Sequence, residues 1–266
     1  MKKTLLFGLF PILVLFLCAC GKKSAKTVNV GLFPNVTHAQ GVIAYQLSRE
    51  GRGWFEKYLP EDCKIEWISF NAGPSAINSI FGGDLDMTYI GPNPAINGFI
   101  KSDGKSVRVL AGAADGGAGL LVNPKLGIKR GEMDAAWTVE PWVSRLETEA
   151  GAKMFFFEKD AVTTVLAART EFLNEKPEIA KALLQAHKDL TKWINENPKE
   201  AQELVRKGIK NISGADFPQE LIANAWKRMK YTSEINRHGM EKFVDDSFSC
   251  GFIDKKIDIS PLFFKF

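Results

Sequence analysis

Ile65-Glu66-Trp67-Ile68-Ser69-Phe70-Asn71-Ala72-Gly73-Pro74-Ser75-Ala76-Ile77-Asn78-Ser79-Ile80-Phe81-Gly82-Gly83-Asp84-Leu85-Asp86-Met87-Thr88-Tyr89-Ile90 decides the fold, because its hydrophobic period changes twice. Over residues 65–70 apolar and polar side chains largely alternate and β-formers dominate, which reads as a strand. Asn71 to Ser75 break that pattern. Ala76, Ile77, Ile80 and Phe81 then fall at helical spacing, so an amphipathic helix follows with those four on its buried side. Pro74 suits the first turn of that helix. Gly82-Gly83 ends it, and residues 85–90 return to a strand. Strand, crossover helix and strand in so short a span is the unit of an α/β fold.

The same alternation extends in both directions. Residues 28–33 read as the first strand, and Thr37 with Gln40 has capping-box spacing ahead of a helix carrying Ile43 and Leu47. Gly91-Pro92-Asn93-Pro94 leads into a helix from Ala95, and residues 107–113 form the next strand. The sheet is expected to be largely parallel. Ligands of such sheets sit beyond the carboxyl ends of the strands. Three loops, at 35–40, 73–76 and 91–93, are expected to open on that edge. A serine hydroxyl and the positive end of a helix dipole at Ser75 favour a compact anion; the same serine also serves simply to start the helix.

An internal repeat divides the chain. Gly83-Asp84-Leu85-Asp86-Met87-Thr88-Tyr89 recurs as Gly131-Glu132-Met133-Asp134-Ala135-Ala136-Trp137, each copy followed by a proline. Two lobes built on one plan produce this. The first copy follows a full strand and helix, but the second follows almost directly on residues 120–129, so its own preceding elements are missing.

At the N-terminus Lys2 and Lys3 precede an apolar run over 5–17, too short for a permanent span and suited to a signal peptide over 1–19. Leu17-Cys18-Ala19-Cys20-Gly21 resembles the lipobox of bacterial lipoproteins, with Cys20 at the acylated position; an ordinary cleaved signal with incidental cysteines is the alternative. Residues 20–26 then form a tether, and the protein is expected at the cell membrane, lipid-anchored and facing outward or into a periplasm. Only Cys63 and Cys250 remain in the body, where an oxidising compartment permits one bridge without requiring it. The net charge of +4 falls to +2 once Lys2 and Lys3 leave, with no basic block, so nucleic acid is not implied. His-Glu-x-x-His, a Walker A loop and Gly-x-Ser-x-Gly are absent, and His38, His187 and His238 are scattered. No catalytic residue, metal site or cofactor is indicated.

The strongest segments are Gly73-Pro74-Ser75-Ala76, Gly82-Gly83-Asp84-Leu85-Asp86, Ile90-Gly91-Pro92-Asn93-Pro94, Ala111-Gly112-Ala113 and Asp134-Ala135-Ala136-Trp137-Thr138-Val139-Glu140-Pro141-Trp142. With them the chain resembles the solute-binding proteins of nitrate, taurine and aliphatic-sulfonate ABC importers. The resemblance implies a periplasmic-binding-protein-like fold (type II): two α/β lobes joined by crossing strands, closing on ligand by a hinge. Carried over by position, lobe 1 is 27–113 with 168–266, and lobe 2 is 114–167. After Lys129 the relatives would hold two further strand-helix steps, on the order of 60 residues at one βαβ unit each. A natural deletion, a degenerate paralogue and a faulty gene model would each leave this second lobe shortened. The resemblance also implies ligand contacts at His38, Gln40, Ser75, Ala76, Asn93, Ala114, Glu140 and Trp142, a small anionic ligand, a membrane permease as partner, and a monomer. Related folds bind pyrimidines, and a sensory or non-functional remnant is the other reading. Glu140 would hold a ligand amine or cap the helix after Pro141, and Trp137 would line the cleft or the core.

The run 171–206 sets Ile179, Leu183, Leu184, Leu190 and Ile194 among many charges, as in amphipathic helices, and His187 reads as a surface residue. The stretch around Trp226, Met229 and Phe243 is expected to pack as helices on lobe 1.

Overall fold

The computed structural model describes residues 26–123 and 134–266. The leader, Cys20, and residues 131–133 of the second repeat copy lie outside the described residues.

β1 (Lys26–Leu32) pairs in parallel with β2 (Cys63–Ser69) and with β3 (Met87–Ile90). α1 (Ala39–Arg49) and α2 (Gly73–Gly82) are the crossovers between them. α3 (Pro92–Lys101) then leads to β4 (Val107–Gly116), so the third helix starts three residues before Ala95. Pro92 opens it because a proline's fixed φ suits the first turn and its missing N–H costs nothing there. The sheet order is β2-β1-β3-β8-β4-β9, where β8 (Val162–Arg169) and β9 (Met229–Tyr231) run against their neighbours. The expected parallel arrangement therefore holds for β1 to β4 only. The chain leaves the sheet through β4 and returns beside it through β8, and a returning strand must run the other way. Met229, expected in a helix, lies in β9.

Between β4 and β8 the chain builds a second sheet, β5 (Ala118–Val122), β6 (Ala135–Val139) and β7 (Lys153–Glu158), ordered β6-β5-β7 and antiparallel throughout. α4 (Trp142–Ala150) packs on β5 and β6. The two repeat copies thus supply strands β3 and β6, each followed by a helix that begins at its proline (Pro92) or directly after it (Pro141). At the exit from the larger sheet Gly116 and Gly117 have φ of 78° and 73°, a left-handed backbone that glycine adopts freely, and this turns the chain into β5.

The larger sheet is covered on both faces. α1, α6 (Pro177–Glu196), α7 (Pro198–Ser213) and α8 (Gln219–Trp226) bury Ile43, Leu183, Leu190 and Leu204 against Val28, Val30 and Leu32. On the opposite face α2, α3 and α9 (Arg237–Ser249) bury Ile77, Ile80, Phe99 and Met240 against Val107, Val165 and Ala167. α5 (Thr170–Glu175) links β8 to α6. Phe81, assigned to the buried side of α2, is 41% exposed. At 100° per residue it stands at the margin of the stripe set by Ala76, Ile77 and Ile80, in the helix's last turn.

His187 is not on the surface. It is fully buried on α6, one turn from Leu183, where its neighbours Lys188 and Asp189 point away. Its Nε2 lies 2.8 Å from the Gly112 carbonyl and its Nδ1 3.0 Å from the Tyr89 hydroxyl. A carbonyl only accepts, so Nε2 carries the proton and Tyr89 donates to Nδ1. Cys63 is buried and Cys250 exposed, and both are free thiols. Among the described residues no helix is long and apolar enough to cross a membrane.

Candidate functional site

Phe33-Pro34-Asn35 carries the chain from β1 into one turn of 3-10 helix, Val36–His38, ahead of α1. Asn35 closes this turn: its side chain accepts from the Thr37 N–H at 3.3 Å and its carbonyl from the His38 N–H at 3.0 Å. The Thr37–Gln40 capping box does not form, because an asparagine two residues upstream already satisfies the turn. Gln40 is instead buried, and its amide donates to the Ala113 carbonyl at 2.7 Å and the Thr191 hydroxyl at 3.2 Å. It ties α1 to β4 and α6.

His38 is buried with its ring tilted on Phe33, centroids 4.9 Å apart, and Phe33 in turn meets Phe70 of the second loop at 6.1 Å. Burial drives its pKa down to about 3, so the imidazole is neutral at physiological pH and supplies no positive charge to an anion. His38 Nδ1, Gln40 Oε1 and Thr164 Oγ1 are buried polar atoms without a hydrogen-bond partner among the described residues. They gather around one segment. Gln40 reaches Ala113, Thr164 pairs with Ala114 in the β4–β8 ladder, and the His38 turn packs on both strands. Ala114 itself is buried, its carbonyl accepting from the Thr163 hydroxyl at 3.0 Å. His38 Nδ1, Gln40 Oε1 and Thr164 Oγ1 thus leave hydrogen-bonding capacity at the strand ends that water or a small polar guest can use.

At the second loop Ser75 is exposed in the first turn of α2. Its N–H is bonded to the Ala72 carbonyl at 3.2 Å, so what Ser75 itself offers an anion is its hydroxyl at the positive end of the helix dipole. Ala76 is buried in the core. Gly73 lets the starts of α2 and α3 meet: a Cβ there would stand 2.5 Å from Pro94 Cγ. The exposed Asn93, which accepts from the Asn97 amide at 3.1 Å, shares a cavity of about 280 Å³ with Gly73, Asn78 and Lys101. The structure therefore brings Asn93 to the start of α2 on one face of the sheet, and His38 and Gln40 together on the other.

Glu140 and Trp142 belong to neither group. Glu140 is fully buried at the start of α4, accepting from the Ser144 N–H and the Ser144 hydroxyl at 3.0 Å each and from Arg228 Nη1 at 2.8 Å. Arg228 also donates to Glu147 at 2.6 Å. Because Arg228 follows α8 and the carboxylates flank and lie on α4, this network clamps the smaller sheet's helix to the larger lobe. Trp142 packs edge-on against Phe217 of the larger lobe, centroids 5.9 Å apart, with the Arg145 guanidinium over its ring. Nearby Asp115 is buried at the end of β4, and burial pushes its carboxyl up to about 6, opposed by Lys230 and reinforced by Asp160. Between the smaller sheet and α9 lies a cavity of about 580 Å³, walled by Trp137, Phe156, Asn236, His238 and Lys242 and reached by none of the eight expected contacts. Phe33, Thr164 and Arg228 are the participants that sequence alone does not single out; the stretch around Trp226 reads only as helix packed on lobe 1. Among the described residues no group of His, Cys, Asp and Glu could hold a metal ion.

A family model described as the NMT1-like family matches residues 21–127 and 124–207. A Bacillus subtilis (strain 168) protein named for aliphatic sulfonate binding is 23% identical over 334 aligned positions, covering 98% of this chain and 94% of that protein. With 266 residues here against 334 positions, at least 68 of them face no residue of this chain. The alkanesulfonate-binding protein SsuA of Xanthomonas axonopodis pv. citri, solved with MOPS, superposes with a TM-score of 0.69 at 12% identity, over 90% of this chain and 98% of that one. The periplasmic nitrate-binding protein NrtA of Synechocystis PCC 6803 gives 0.67 at 15%, over 86% and 82%. These likenesses establish the periplasmic-binding-protein-like α/β fold, and each relative is a binding protein rather than an enzyme.

Proposed function

The chain belongs to the NMT1-like family, and on that premise we propose that it is the extracytoplasmic solute-binding component of an ABC importer. It captures a small anion such as an aliphatic sulfonate, taurine or nitrate between the lobe of the larger sheet and that of the smaller, and delivers it to a permease from a lipid anchor at Cys20. The reading rests above all on the three unpaired polar atoms around Ala113 and Ala114, which sit at the strand ends where this class of sheet holds ligands. His38, Gln40 and Ala114 would line that floor. Ser75, Ala76 and Asn93 would approach from the α2 and α3 starts, and Glu140 with Trp142 would set the smaller lobe. The alignment to a sulfonate-binding relative along nearly the whole chain supports an anion, as does the helix dipole behind Ser75.

The test is a thermal-shift screen of the chain from Gly21 onward, which holds every described element, against alkanesulfonates, taurine, nitrate, sulfate and pyrimidines. A ligand at 100 times its Kd stabilises by about 2.7 kcal/mol. A shift with one anion, reduced several-fold in affinity by Ser75→Ala as expected for one lost hydrogen bond of about 0.5–1.5 kcal/mol, supports the proposal. A cooperative melt unmoved by every anion overturns it. A second reading, a remnant or sensor that no longer supports transport, draws on the shortened smaller lobe and the Arg228 clamp; a shift with pyrimidines alone would favour the pyrimidine-binding relative.

A further inference from the structure

β7 is an outer strand of the smaller sheet. It pairs with β5 alone, and among the described residues no other backbone group bonds to its free edge. Its sequence, Lys153-Met154-Phe155-Phe156-Phe157-Glu158, sets opposite charges at the two ends of four apolar residues. Phe155 is 73% exposed and Phe156 48%. A long apolar edge of this kind is a ready template for another strand.

The register decides which strand fits. Antiparallel strands related by a twofold axis place residues of the same face opposite each other. In a regular strand, residues five apart such as Lys153 and Glu158 face opposite sides and could not be partners. Here the pairing with β5 slips between Leu120 and Leu121, making Phe155 an extra residue, so that Lys153 opposes Val122 while Glu158 opposes Ala118. Positions 118 and 122 share a face of β5, and so therefore do Lys153 and Glu158. Met154 and Phe157 oppose Leu121 and Gly119 and share the other face. The bulge thus makes the strand complementary to itself. Lys153 is exposed, and Glu158, half-buried, lies within electrostatic reach of Lys242 across the cavity beside α9 without closing a salt bridge to it.

We propose that β7 pairs antiparallel with β7 of a second copy of this chain across a twofold axis. Lys153 stands opposite Glu158 of the partner subunit, Met154 opposite Phe157, and Phe155 against Phe156, joining the two smaller sheets into one of six strands. This departs from the expected monomer. One strand pair covers less than a standard interface, so the dimer is weak and concentration-dependent.

Sedimentation equilibrium of the chain from Gly21 onward, over a concentration series, reads this directly. Wild type should move from one chain mass toward two. Lys153→Glu and Glu158→Lys, taken singly, each create two like-charge pairs in the homodimer and should weaken self-association by roughly tenfold or more. Mixing the two single variants re-creates both opposite-charge pairs in a heterodimer, and the mass should rise again. That recovery also shows that both variants fold. A wild-type mass that stays at one chain throughout overturns the proposal, as does either variant dimerising like wild type or a mixture that fails to recover.

Discussion

Replacing Arg228 by methionine keeps the aliphatic stem and removes the charge that serves Glu140 and Glu147 at once. Glu140 is 0% exposed, so losing its cation leaves a buried carboxylate held only by the two Ser144 donors. Breaking a buried ion pair costs about 3–5 kcal/mol, and the two surviving hydrogen bonds bring the expected loss to about 2–3 kcal/mol. For a chain of this size that lowers Tm by about 5–10 °C. Calorimetry with urea unfolding would measure it and would also show whether the smaller lobe now melts in its own transition. Adding Glu140→Gln to Arg228→Met removes the unpaired charge and should recover more than half of the loss, whereas Glu147→Gln alone should cost under about 1 kcal/mol because that pair is partly solvated. An Arg228→Met protein melting within about 1 °C of wild type would refute the clamp.

Burial lowers the His187 pKa to about 4, so the unfolded chain takes up a proton near pH 6.5 that the folded chain refuses until about pH 4. The stability this confers is full above pH 6.5 and is lost as pH falls through 4, about 3 kcal/mol in all. Urea midpoints should fall over that window, and His187→Gln should flatten the fall while leaving the part due to His38, whose pKa is about 3. Asp115 has the opposite sign: its raised pKa of about 6 favours the folded state below pH 3.8, and that advantage disappears as pH rises through 6. Asp115→Asn should therefore raise Tm at pH 8 and leave it unchanged at pH 3.5, with about 3 kcal/mol as the ceiling. Gly116→Ala forces a side chain into φ of 78° and within 2.5 Å of the Arg228 carbonyl, and should destabilise by about 2 kcal/mol or more in the same assay.

The α/β class, the crossovers and the loop edge were legible because they depend on local period and on glycine and proline punctuation. β1, α2, β3 and the repeat strand at Ala135–Val139 emerge within a few residues of their expected bounds. What sequence could not give was where polar side chains turn once the elements pack. Thr37 and Gln40 have capping-box spacing, but the competing Asn35 cap and the Ala113 carbonyl redirect both. His187 sits among charges in sequence and among leucines in space. Glu140 was legible as a helix cap; its second partner, Arg228, lies 88 residues away, and no local pattern encodes a pairing of that range. The antiparallel β8 follows from a long excursion and return, which a strand-by-strand reading does not see.

The β4–β8 ladder has a kinetic side. Those two strands share the longest ladder of the larger sheet's second half, yet they meet only after the 45 residues from 117 to 161 have looped out and back. Were that excursion longer by about 68 residues, the closure would span well over twice the chain, and the entropy of bringing its ends together would be greater by about 1 kcal/mol. Shortening the excursion thus favours early assembly of the central sheet. The short excursion that leaves one sheet with three strands makes the other easier to close.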